Sequence, residues 1–127
     1  MTRINLVDPA TLTDKHLGAE YRELPRTFGL VRAAVARGEQ PTDPRNPAEF
    51  CLGSGHVRFF YPRLGWLVER YMLLVQECRR RGRAVNFAAP DIAGIPAEWF
   101  GYWQPTPRDI ALSQARIEAK LSKGALV

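Results

Sequence analysis

The chain has 127 residues, 46% hydrophobic and 24% charged, the size and balance of one globular domain spanning 1–127. Two cysteines, ten glycines and ten prolines match neither a disulfide framework nor a collagenous or disordered chain. With no apolar run of about 18 residues and no secretory leader, the chain is expected to be soluble, cytoplasmic and without membrane contact. The net charge of +5 is carried by 18 bases, 15 of them arginines, and arginine's planar fork suits bidentate phosphate binding, so the skew points to nucleic acid.

No stretch alternates as a strand should, and the expected fold is all-α with three main helices. Asp8-Pro9 suits a capped preparatory turn. From Asp14 to Arg37, Leu17, Tyr21, Leu24, Phe28, Val31 and Val35 recur at helical steps, and Gly38 closes the segment. Pro25 lies inside it and requires either a kink or two helices meeting there. Pro41, Pro44 and Pro47 mark a surface loop, and Phe50–Tyr61 is expected to pack as irregular core. Its Gly53-Ser54-Gly55 lacks the Lys-Ser/Thr of a phosphate loop.

A second helix is expected from Pro62 to Arg81, burying Leu64, Leu67, Tyr71, Leu74, Val75 and Cys78; Arg79 to Arg81 complement its C-terminal dipole and Gly82 ends it. A connection rich in proline and aromatics follows, with Trp99, Tyr102 and Trp103. The third helix takes Thr106 as N-cap, Pro107 at N1 and Asp109 at N3, presents Ile110, Ile117 and Leu121 as its apolar face, and ends at Gly124.

Two basic stripes lie away from these apolar faces: Lys15, Arg22, Arg26 and Arg37 on the first helix, Arg116, Lys120 and Lys123 on the third. Side by side they suit a duplex backbone, although ordinary solvated faces read the same way. Glu23, between Arg22 and Arg26, is a carboxylate that guanidinium groups can hold, and either a structural ion pair or an acid-base group fits its place. Cys51, Cys78, His16 and His56 lack zinc-site spacing, and no metal is expected. Trimming of Met1 before the small Thr2 leaves a free α-amine, whose neutral fraction at pH 7 is roughly a few hundred times that of a lysine and rises further beside Arg3.

The strings MTRINL (1–6), HLGAEYRELPR (16–26), LGSGHVRFFY (52–61) and SQARIEAK (113–120) resemble the phage endonuclease V type of pyrimidine-dimer DNA glycosylase, over nearly the whole chain to about Lys120. The resemblance implies a compact single-layer all-α domain whose N-terminal segment threads between the first and third helices. It also implies a cofactor-free, metal-free DNA glycosylase and apurinic/apyrimidinic lyase acting on double-stranded DNA that carries ultraviolet-induced cyclobutane pyrimidine dimers or abasic sites. It makes Thr2 the amine that attacks C1′ and forms a Schiff base, and Glu23 the catalytic carboxylate. Arg3, Arg22 and Arg26 correspond to DNA-contacting arginines, Arg116 and Lys120 to phosphate-holding bases, and His16, Tyr21 and Pro25 to positions lining that site. Lys15 and Tyr71 stand where the family has glutamines near the DNA, and no aromatic, basic tail follows the third helix. A monomer acting at the nucleoid is expected. The same chemistry on another lesion, and a non-catalytic DNA-binding module, are the alternatives.

Overall fold

Pro25 sets the architecture of the first half. A computed structural model describes residues 2–125, with side chains from 2 to 121. In it the long periodic segment is two helices, α1 (Asp14–Glu23) and α2 (Arg26–Ala36), and Pro25 with φ of −60° caps the second. The missing proline N–H is the reason for the break: Leu24 still bonds the Glu20 carbonyl at 2.9 Å, but the ladder restarts from the Leu24 and Pro25 carbonyls. Thr13 caps α1, its hydroxyl accepting from the His16 N–H at 3.2 Å. Gly38, with φ of +86°, closes α2 as expected.

Phe50–Tyr61 is more regular than its glycines suggest: a 3₁₀ turn at Gly53–Gly55 runs into a single helical turn, α3 (His56–Phe59). Helix α4 (Leu64–Arg80) packs against α1 and buries all six of its expected apolar residues. Around them Phe28, Phe50, Phe59, Phe60 and Trp99 complete the core, each such burial contributing about 1.5–3 kcal/mol. The connection back from Trp99 lies along the start of α4, where Arg63 and Phe100 form an isolated bridge. Among the described residues there is no strand, in keeping with the all-α expectation, and no helix is long and apolar enough to cross a membrane.

Helix α5 (Pro107–Ala125) begins with a reciprocal capping box, the Thr106 hydroxyl accepting from the Asp109 N–H at 3.1 Å and the Asp109 carboxylate from the Thr106 N–H at 3.0 Å. It passes through Gly124 to Ala125 rather than ending at the glycine. Its buried face also differs from the expected one. Ile110 and Leu121 are 41% and 46% exposed, while Asp109, Ser113 and Ile117 are buried. Each inward polar residue has a partner, Ser113 in the N-terminal segment and Asp109 in Trp103 and the Thr106 N–H.

That segment is extended and forms no secondary structure of its own, so its backbone polar groups must be satisfied by side chains. The Ile4 N–H donates to His56 Nε2 at 3.0 Å, the Leu6 N–H to the Ser113 hydroxyl at 3.0 Å, and the Ile4 carbonyl accepts from Arg116 at 3.0 Å. The Val7 carbonyl accepts from Arg70. Further along, Arg81 reaches from the end of α4 to the carbonyls of Pro9, Ala10 and Leu12 and to Asp14, so it does more than complement a helix dipole.

Candidate active site

Helix α1 sorts its charged residues by turn. Glu20 falls among the buried residues Leu17 and Leu24, whereas Glu23, one turn on, is half-buried at the edge. Glu20 is held by Arg70 through two bonds of 2.8 and 3.0 Å and accepts from the Asn5 amide at 2.9 Å. A carboxylate and a guanidinium that are 1% and 4% exposed persist only as such a pair. Glu20 is therefore a structural anchor, joining α1, α4 and the N-terminal segment.

Beside it opens a cavity of about 300 Å³ between α1, α5 and the N-terminal segment. Four cations line it: Arg3 from the segment, Lys15 from α1, and Arg116 and Lys120 from α5. His16, Ala19, Glu20 and Glu23 complete the α1 wall. Glu23 has no hydrogen-bond or ion-pair partner among the described residues; Arg22 and Arg26 are exposed and do not hold it, contrary to the clamp expected from their spacing. With Glu20 neutralised by Arg70, Glu23 is the acid left facing the four bases. The cavity is thus an electropositive hollow with two carboxylates in its wall, Glu20 tied to Arg70 and Glu23 without a partner among the described residues.

Two groups are set by burial here. Loss of solvent lowers the pKa of His16, and Lys120, Lys15 and Arg3 lower it further; its Nδ1 is buried without a partner among the described residues. His56, behind the segment, is pushed down to about 4 by burial and by Arg116. Neutral His56 accepts at Nε2 from Ile4, so its Nδ1 proton is directed at the Cys51 carbonyl at 2.9 Å. Burial followed by Arg3 also pulls Arg116 down, although its guanidinium is bonded to Ile4 and to Asn5 Oδ1.

The expected site residues divide accordingly. Arg3, Lys15, His16, Glu23, Arg116 and Lys120 are brought together around the cavity, and Thr2, only 7% exposed, immediately precedes Arg3. Arg22 and Arg26 lie on the neighbouring exposed surface, and Pro25 is the helix junction. Tyr21 is stacked on Tyr71 at 5.7 Å, its hydroxyl accepting from the Phe87 N–H. Tyr71 is fully buried, so it does not reach the surface as a residue near DNA would. Sequence reasoning missed Asn5, Glu20, Arg70 and Ser113, and considered His56 only as a metal ligand; among the described residues no three metal-ligating side chains cluster. Part of the signal was present: Glu20 and Arg70 each sit within an apolar helical row and so each require a buried partner, although the sequence does not say which.

The sequence matches the pyrimidine dimer DNA glycosylase family over residues 1–91. The chain belongs to that family. The DNA-repair glycosylase therefore has α1, Thr2 and Glu23 inside the matched span, while α5, which supplies Arg116 and Lys120 to the same cavity, lies beyond it.

Proposed function

We propose that this glycosylase is bifunctional: it excises pyrimidine dimers from double-stranded DNA and then cleaves the strand as an apurinic/apyrimidinic lyase, using the α-amine of Thr2 after removal of Met1. The observation that carries the reading is that Arg3, the residue bonded to Thr2, and the unpartnered carboxylate of Glu23 line one cationic cavity. An amine needs to be neutral to attack, and a wall of cations favours its neutral form. As the amine nitrogen bonds to C1′, the glycosidic bond breaks and its electrons leave with the base. The adduct loses a proton from nitrogen, and breaking of the C1′–O4′ bond, with O4′ taking up a proton, opens the sugar ring to an iminium, the Schiff base; loss of a C2′ proton from it then expels the 3′ phosphate.

Glu23 faces the two steps at which charge changes. Its carboxylate stabilises positive charge on the sugar in the first and accepts a proton in the second. Arg3, Lys15, Arg116 and Lys120 hold phosphates around the cavity, Arg22 and Arg26 extend that surface, and His16 shapes its wall, while Tyr21 and Pro25 hold α1 in place from outside the cavity. We further propose that residues 1–127 act as one domain and as a monomer. No step requires a metal or cofactor.

The test is borohydride trapping on ultraviolet-irradiated duplex. Protein whose intact mass confirms a Thr2 terminus should yield a covalent protein–DNA adduct on irradiated duplex and none on unirradiated duplex. Cleavage without any trappable adduct would overturn the Schiff-base mechanism, and trapping confined to abasic oligonucleotides would overturn the assignment of the lesion.

A further inference from the structure

Helix α4 ends in a glycine turn that aims an arginine at another helix. Gly82 has φ of +73°, and the N–H groups of Gly82 and Arg83 return to the Arg79 and Cys78 carbonyls at 3.0 and 2.9 Å. The chain then runs back along α1, where the Phe87 N–H donates to the Tyr21 hydroxyl at 3.1 Å and the Phe87 carbonyl accepts from Tyr71. The segment from Arg83 to Phe87 is thereby pinned to α1, away from the cavity.

At the point where Arg83 arrives, α1 carries no side chain. A Cβ on Gly18 would lie 2.6 Å from Arg83 Nη2 and 3.1 Å from Arg22 Nη1, so these two guanidinium nitrogens are within about 6 Å of each other. Among the described residues no carboxylate is paired to both. Arg22 has no ion pair among the described residues, and the acid near Arg83 is Asp14 at 3.9 Å, which Arg81 already holds at 2.9 Å. Two like charges this close repel unless an anion lies between them, and paired guanidinium forks match the oxygens of a phosphodiester.

The pair shares a helix with the cavity wall. Lys15, Gly18 and Arg22 form one i, i+3, i+7 row along α1, and Lys15 lines the cavity wall. The two sites are separated by about one helix width, roughly 10 Å, or about three base steps along a strand. A duplex presenting a lesion to the cavity therefore lays further phosphates over Gly18.

We infer that Arg83 and Arg22 converge over Gly18 to clamp a DNA backbone phosphate beside the cavity, a contact possible only because position 18 lacks a side chain. This rests on the DNA-binding reading of the cavity and adds Arg83 and Gly18 to it.

The experiment is fluorescence-anisotropy titration of an undamaged duplex over a range of salt concentrations, with thermal unfolding of each protein alongside. Arg83→Gln should reduce the slope of log K against log salt by about 1, the value of one lost phosphate contact. Gly18→Ala should do the same by displacing Arg83, while its higher helix propensity keeps the unfolding midpoint at or above that of the parent. Arg79→Gln, which removes the same charge from an exposed position on the last turn of α4, should keep the parent slope. A steep parent slope left unchanged by Arg83→Gln and Gly18→Ala would overturn the clamp alone, as would an equal loss in Arg79→Gln. A parent that binds without salt dependence would overturn the DNA-binding reading of the cavity, and the clamp with it.

Discussion

Glu20 and Glu23 are one turn apart and chemically identical, yet their surroundings assign them opposite work. Glu23 faces four cations across an open cavity and has no partner among the described residues. Glu23→Gln should retain duplex binding and lower single-turnover cleavage by about 10²- to 10⁴-fold, the usual scale of a lost acid-base group; near-parental turnover would remove Glu23 from the mechanism. Glu20→Ala leaves Arg70 buried and uncompensated, so urea unfolding should show a loss of about 3–5 kcal/mol. The double variant Glu20→Leu, Arg70→Met should recover much of that loss, since no buried charge then remains. Helical periodicity places Glu20 and Glu23 alike on the flank of the apolar face and does not tell the buried acid from the open one. The reason is physical: periodicity registers where apolar groups go, whereas a buried ion pair is specified by two positions 50 residues apart that only the fold brings together.

The apolar rows of α2 and α4 follow their sequence periodicity closely, as do the stops at Gly38 and Gly82, although α4 also buries Arg70 and Glu77. Helix α5 does not. Its inward face is Asp109, Ser113 and Ile117: Ser113 meets the open Leu6 N–H of the N-terminal segment, and Asp109 is held by the Thr106 N–H and the Trp103 indole. The same logic makes His56 a pH-sensitive prop of the N-terminal segment. In the unfolded chain it takes up a proton near pH 6.5, but in the folded protein only near 4. Its contribution is therefore complete above about pH 6.5 and is lost as pH falls toward 4, by about 3 kcal/mol in all. Protonation removes the acceptor for the Ile4 N–H and sets a cation against Arg116. Urea unfolding between pH 7 and 4 should show this slope, and His56→Gln, which keeps an acceptor but cannot titrate, should flatten it. Glu77 and Asp43, held near 2 chiefly by hydrogen bonds from Arg80 and Arg45, lose their contributions only below about pH 4.5, outside most of this window.

The N-terminal segment draws its partners from α1, α3, α4 and α5, the most distant of them 107 to 112 residues along the chain. Its first residues are consequently seated last, after α5 has been made. This has a consequence for maturation. Thr2 is 7% exposed once folded, whereas the nascent peptide is open to trimming throughout synthesis. On the proposed chemistry Met1 must leave in that interval, because the bond to be cut is made by Thr2, which is buried once the chain has folded. Protein purified with Met1 retained should therefore stay inactive when treated with methionine aminopeptidase in its native state. Unfolding and refolding in the presence of the peptidase should bring activity back, with the rise in trapping matching the fall of the Met-bearing mass. The order of processing before closure would then act as an editing step, separating working copies from permanently blocked ones at birth.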